Sequence, residues 1–183
     1  MAEVLLAHRS AVAGLSLHVH SAGLVCDHEP AQPNAVEAMA RIGLDLSHHR
    51  SRIVDRDMVE AADLVIAMET RHVREIAVLD DGSFDRTFTL PDLVSRAEAV
   101  GPRTDADMAS WLAALAEGRS RSDMLRQDRH REVPDPMGGS RRAFRKAADQ
   151  IAGLLDRFVA LAWPEGHPAD HHDLAHQPSP GST

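Results

Sequence analysis

A parallel α/β fold is what this 183-residue sequence predicts, and two observations carry the prediction. The first is the unbroken apolar run Asp63-Leu64-Val65-Ile66-Ala67-Met68, which has strand length and reads as a central parallel strand covered on both faces. The second is the alternation along the chain of strand-like stretches with segments of helical periodicity, the mark of a parallel sheet with crossover helices. The length suits one domain with a proper core. A 43% hydrophobic content with 26% charged residues is ordinary for a globular protein. Aromatics make up only 3%, with no tyrosine, so the core must rely on Ala, Val, Leu, Ile and Met.

Taken in order, Ala2 to Leu15 has helical spacing, with Val4, Ala7, His8, Ala11, Val12 and Leu15 on one face and Gly14 as the stop. It starts at residue 1 or 2 with no N-cap. Leu17 to Ser21 alternates Leu17 and Val19 against His18 and His20, which predicts a short strand. Pro33 opens a second helix that buries Val36, Met39 and Ala40 and ends at Gly43. Asp55 can cap a helical turn reaching Ala61. After the apolar strand, Thr70 can cap a helix with Val73, Ile76 and Ala77 inward. Arg86 to Leu90 reads as a strand and Pro91 to Val100 as a helix. Thr104 with Asp107 resembles a capping box for a helix burying Met108, Trp111, Leu112 and Leu115.

The last helix, Arg141 to Trp163, turns Phe144, Ala147, Ala148, Ile151, Leu154, Leu155, Phe158 and Leu161 inward. Residues 164 to 183 are rich in Pro, His, Asp and Ser and predict a disordered tail beyond a domain of residues 1 to 163. Its His167, His171, His172 and His176 have roughly metal-like spacing, but Pro168 and a flexible carrier favour a solvated tail over a metal site. The sequence calls for no metal and no cofactor.

A formal charge of −8 argues against a general nucleic-acid partner. Arg119 to Lys146 is the exception, with nine Arg and Lys against four Asp and Glu. That stretch is either a solvated face or a rim attracting anionic substrates. The single cysteine, Cys26, excludes an internal disulfide framework. With no 18-residue apolar run and no signal-peptide pattern, the expected location is the cytoplasm, without a membrane partner. Oligomeric state is not legible.

The chemistry-bearing stretch is Glu132-Val133-Pro134-Asp135-Pro136-Met137-Gly138-Gly139-Ser140. Each proline fixes its own φ and restricts the residue before it, so the Asp135 carboxylate is locked on a stiff loop ahead of a helix. One reading is a rigid turn with Ser140 as the helix N-cap. The other is an acid held at a fixed place over a pocket.

Six stretches decide between them. Met1-Ala2-Glu3-Val4-Leu5-Leu6, Ser21-Ala22-Gly23-Leu24, Pro33 to Met39, Leu46 to Arg52, Ala62 to Glu69 and Val133-Pro134-Asp135-Pro136 follow one another at the spacing found in the low-molecular-weight protein tyrosine phosphatases. The resemblance covers residues 1 to about 163. It implies a flavodoxin-like, three-layer α/β fold and hydrolysis of phosphotyrosine or small phosphate monoesters. In such enzymes a Cys-x5-Arg loop carries a thiolate that forms a phosphocysteine, while an acid protonates the leaving oxygen.

By that resemblance Asp135 is the general acid and base, and Met137 stands where many members carry an aromatic ring against the substrate. Met137 therefore weakens the expectation of phosphotyrosine preference. Ser21, His49 and Arg52 are expected to support the phosphate loop. The loop itself has no counterpart, because Met1 falls directly after the place where it ends. Cys26 follows the second predicted strand, and Asp27 and Glu29 beside it disfavour a thiolate, so it is no substitute.

The resemblance thus implies a chain that begins just downstream of its nucleophile and lacks its first, central strand. A misplaced start codon is the economical explanation, and the chain itself is expected to be inactive. That strand would bury about 7–15 kcal/mol of apolar side chains at 1.5–3 each. Its loss is expected to weaken the fold or to re-pair Leu17–Ser21 beside the apolar run. Two other readings stand: a non-catalytic binding or regulatory module, and an arsenate reductase using an external thiol. The partners implied are a phosphorylated protein or a small phosphate ester.

Overall fold

The structure is a computed structural model and describes residues 1–104, 106–122 and 129–164. Seven α-helices and two strands are found among them: α1 (Ala2–Val12), α2 (Pro33–Ala40), α3 (Arg56–Glu60), β1 (Val65–Ala67), α4 (Thr70–Leu79), β2 (Thr87–Thr89), α5 (Leu90–Val100), α6 (Met108–Ala116) and α7 (Arg141–Ala162). The predicted α/β class with a parallel sheet is what is observed. β1 and β2 pair in parallel, Val65 opposite Thr87, Ile66 opposite Phe88 and Ala67 opposite Thr89. The predicted tail and its four histidines lie outside the described residues.

Local chemistry explains most boundaries. Pro33 occupies the first turn of α2, where its missing N–H costs nothing. Asp55 caps α3 by accepting from Met58 N at 2.8 Å. Asp107, rather than Thr104, caps α6 by accepting from Ser110 N at 2.7 Å, so the proposed capping box is replaced by a simple Asp cap. Ser140 caps α7 as expected. Thr70 is not a side-chain cap: it is the first helical residue of α4, and its N–H is met from another part of the chain.

The core gathers around α7, which packs against α1, α2 and α5. Phe144, Ala148, Ile151, Leu155 and Phe158 bury against Leu5, Met39, Phe88, Leu93, Trp111 and Leu115. The inward face of α7 is the predicted one, save that Ala162 is buried and Leu161 only half-buried. The face of α1 is rotated from the prediction. Leu5 is fully buried, whereas Ala7, His8, Ala11 and Val12 are exposed, because α7 lies against the Leu5 side.

The second correction concerns Leu17–Ser21, which is not a strand and does not pair beside β1. Its burial still alternates, Leu17, Val19 and Ser21 half-buried between exposed His18 and His20. Residues 16–22 make no backbone–backbone hydrogen bond. The pattern is that of a strand without a ladder. β1 is likewise less covered than its apolar run suggested, with Val65 and Ile66 half-buried and only Ala67 buried.

Candidate active site

Asp135 sits on a loop tied at three places. Val133 N–H donates to Met68 O at 2.8 Å, fastening the loop just beyond β1. Glu132 Oε1 accepts from Thr70 N at 3.0 Å, so a side chain 62 positions away supplies the N-terminal partner that α4 lacks locally. The third tie is internal: Met137 N–H donates to Asp135 Oδ1 at 3.0 Å, turning the carboxylate back over its own loop.

The far end of the loop is equally constrained. Gly138 has φ +73°, a conformation that favours glycine. Gly139 N–H donates to Pro136 O at 2.9 Å, and a Cβ there would lie 2.8 Å from that oxygen. Ser140 then opens α7. Asp135 and Met137 are both exposed, so an acid and a thioether face solvent on an otherwise fixed turn.

A second cluster forms at the N-terminal end of α1. Ser21 Oγ donates to Glu3 Oε2 at 2.6 Å, and His49 Nδ1 lies 3.3 Å from the same oxygen. Of the three residues expected to support a phosphate loop, Ser21 and His49 are thus brought together through Glu3. Arg52 is not: its side chain is exposed and makes no hydrogen bond or ion pair to the cluster, while its carbonyl accepts from Gly23 N at 2.8 Å. Met1 has no side-chain cap to offer α1, and burial holds its amine below the usual value, with the Glu3 charge opposing. No hydrogen bond or ion pair among the described residues joins this cluster to the Asp135 loop.

Cys26 is an exposed free cysteine, in keeping with its exclusion as a nucleophile. The basic stretch is largely engaged within the fold. Arg119 stacks between Phe84 and Phe88, 4.5 and 4.0 Å from the ring centroids, and donates to the Phe84 and Thr87 carbonyls. Arg121 pairs with Asp81, Arg131 with Asp92, and Arg141 and Arg145 with Glu37. These residues bind secondary elements together more than they form an anionic rim. Among the described residues no group of three or more His, Cys, Asp or Glu could hold a metal ion, and no helix is long and apolar enough to cross a membrane.

Three site residues were missed in the sequence. Glu3 stood in the quoted Met-Ala-Glu run, Glu132 immediately before the Asp135 motif, and His72 in the first turn of α4. Half-buried His72 has its imidazole held below the ordinary histidine range, first by burial and then by Arg71, against the charges of Glu69, Asp135 and Glu132. Only the chain's return across 62 residues brings these groups together.

The family model for low molecular weight phosphotyrosine protein phosphatase matches residues 1–101. A protein-arginine-phosphatase of Bacillus subtilis is 28% identical over 160 residues, covering 87% of this chain and 85% of the relative. A probable low molecular weight protein-tyrosine-phosphatase, EpsP of Ralstonia solanacearum, is 34% identical over 93 residues, covering 51% and 62%. The crystal structure of a Bacillus subtilis YwlE mutant superposes with a TM-score of 0.63 at 27% identity, over 85% of this chain and 84% of that one. The stitched acid loop and the α/β frame carrying it accord with these matches: the chain belongs to the low molecular weight phosphotyrosine protein phosphatase family.

Proposed function

We propose that residues 1–163 form the scaffold of a phosphatase acting on phosphorylated protein, with Asp135 as its proton donor and acceptor. The observation that carries the reading is the anchoring of the Asp135 loop to Met68 and Thr70, which holds one exposed carboxyl at a fixed place just beyond β1. A thiolate supplied by a Cys-x5-Arg loop would attack phosphorus, forming an S–P bond as the ester oxygen leaves with the proton of Asp135. Water, losing its proton to the same carboxylate, then breaks the S–P bond and frees phosphate and thiolate. The reading requires such a loop on the N-terminal side of α1, where Glu3, Ser21 and His49 would brace it.

The substrate class follows from what flanks the acid. Met137 offers a flexible thioether in place of an aromatic surface, so a phenol ring gains no stacking partner there. Phosphotyrosine, other phosphate monoesters and, from the Bacillus relative, phosphoarginine are the substrates to compare.

Residues 1–183 contain no Cys-x5-Arg segment, and losing a nucleophile costs on the order of 10⁶ in rate. The purified 183-residue chain is therefore expected to show no turnover above background on an aryl phosphate or a phosphoarginine protein. The same chain preceded by an apolar strand and a Cys-x5-Arg-Ser loop is expected to hydrolyse one of them, and to lose that activity in Asp135→Asn. Hydrolysis by residues 1–183 themselves would refute the inactivity. An extended, folded chain with no turnover would leave the non-catalytic module as the better reading.

A further inference from the structure

The hydrogen bonds from Met68 and Thr70 to the Asp135 loop bring a titratable side chain against it that the mechanism above does not use. His72 lies one residue inside the first turn of α4 from Arg71, half-buried, with its own N–H donating to Glu69 O at 3.0 Å. The charges bearing on its imidazole are Arg71 and Glu69 from the same turn and Glu132 and Asp135 from the loop. Burial and Arg71 disfavour the imidazolium, as does the positive end of the α4 dipole, whereas the three carboxylates favour it. At neutral pH the ring is mainly neutral. Acidification charges it while it faces the loop carrying the proton donor.

We propose that His72 is a positioning residue for Asp135. In its neutral state it leaves the Asp135 carboxyl where the Met137 N–H holds it, and as a cation it draws that carboxylate toward the first turn of α4. The proposal rests on the reading of Asp135 as the proton donor, but its test needs no turnover.

The probe is the Met137 amide, which donates to Asp135 Oδ1 and so reports on that carboxylate. Its NMR shift is followed from pH 8 to pH 5 in the full 183-residue chain alongside the His72 ring. The Met137 amide should show an inflection at the His72 midpoint, absent in His72→Asn. In Asp135→Asn the His72 midpoint should fall by about 0.3 pH unit or more, because a carboxylate that favours the imidazolium is gone. A Met137 amide without that inflection, an inflection that survives in His72→Asn, or a His72 midpoint unmoved in Asp135→Asn would each overturn the proposal. Should His72→Asn fail to fold, the Asp135→Asn titration decides alone, since it leaves α4 intact. Coupling without hydrolysis in the extended chain would count against the phosphatase reading only. Hydrolysis without coupling would count against His72 only.

Discussion

Asp135 owes its placement to neighbours that do no chemistry. Gly139 is the clearest case, because a methyl group there would press on Pro136 O at 2.8 Å and on Ala143 Cβ at 3.0 Å. Gly139→Ala should cost about 1–3 kcal/mol, the usual range for overpacking, read as a lower urea midpoint. Glu132→Ala removes the acceptor for Thr70 N and is expected to cost about 1 kcal/mol, the value of a lost cap, by the same measurement. At this scale the sequence was legible where the motif is local. Two prolines around a carboxylate and Ser140 ahead of an amphipathic run can be read by eye. Glu132 and His72 could not be, since their meaning lies in a partner brought back by the fold from 62 residues away.

Among the elements, α4 shows how one such partner becomes a pH dependence. The His72 imidazole is held below its usual midpoint in the folded chain, so as pH falls the unfolded chain takes up the proton first. The stability contributed by the neutral ring is fully present above the ordinary histidine pKa of about 6.5 and is lost as pH drops through the folded midpoint. In His72→Asn the urea midpoint should consequently change less between pH 7.5 and pH 5 than in the parent chain. Helices were the legible elements, with the start of α2, the cap of α3 and nearly the whole buried face of α7 recoverable from spacing. The orientation of α1 was not, because Val4, Ala7, Ala11 and Leu5 offer two apolar stripes and only the position of α7 selects Leu5. Leu17–Ser21 has the alternation of a strand, but pairing is a property of the neighbour as well as of the sequence.

For the molecule as a whole, α7 is the organiser, and it holds by burial more than by charge. Arg9–Asp156, Arg41–Asp149, Arg145–Glu37 and Arg157–Glu98 tie it to α1, α2 and α5, but most of these groups reach solvent. Exposed pairs contribute about 0–1 kcal/mol each and are screened by salt. Leu155→Ala, in contrast, opens a cavity at a fully buried site and should cost about 2–5 kcal/mol, a large part of a typical 5–15 kcal/mol. Chemical denaturation of the two variant classes, Arg157→Ala beside Leu155→Ala, checks the ranking directly. The parallel α/β class was legible because it depends on the order of periodic segments, whereas the extent of the sheet depends on which segments find each other.

The short ladder has its own consequence. β1 bonds to β2 along one side, and no other backbone–backbone hydrogen bond reaches Val65–Ala67 among the described residues. In deuterated solvent, protons directed toward β2 would be retained, while those on the opposite flank and along residues 16–22 would be replaced early. A middle strand with one slow and one fast margin would be the isotopic signature of this molecule.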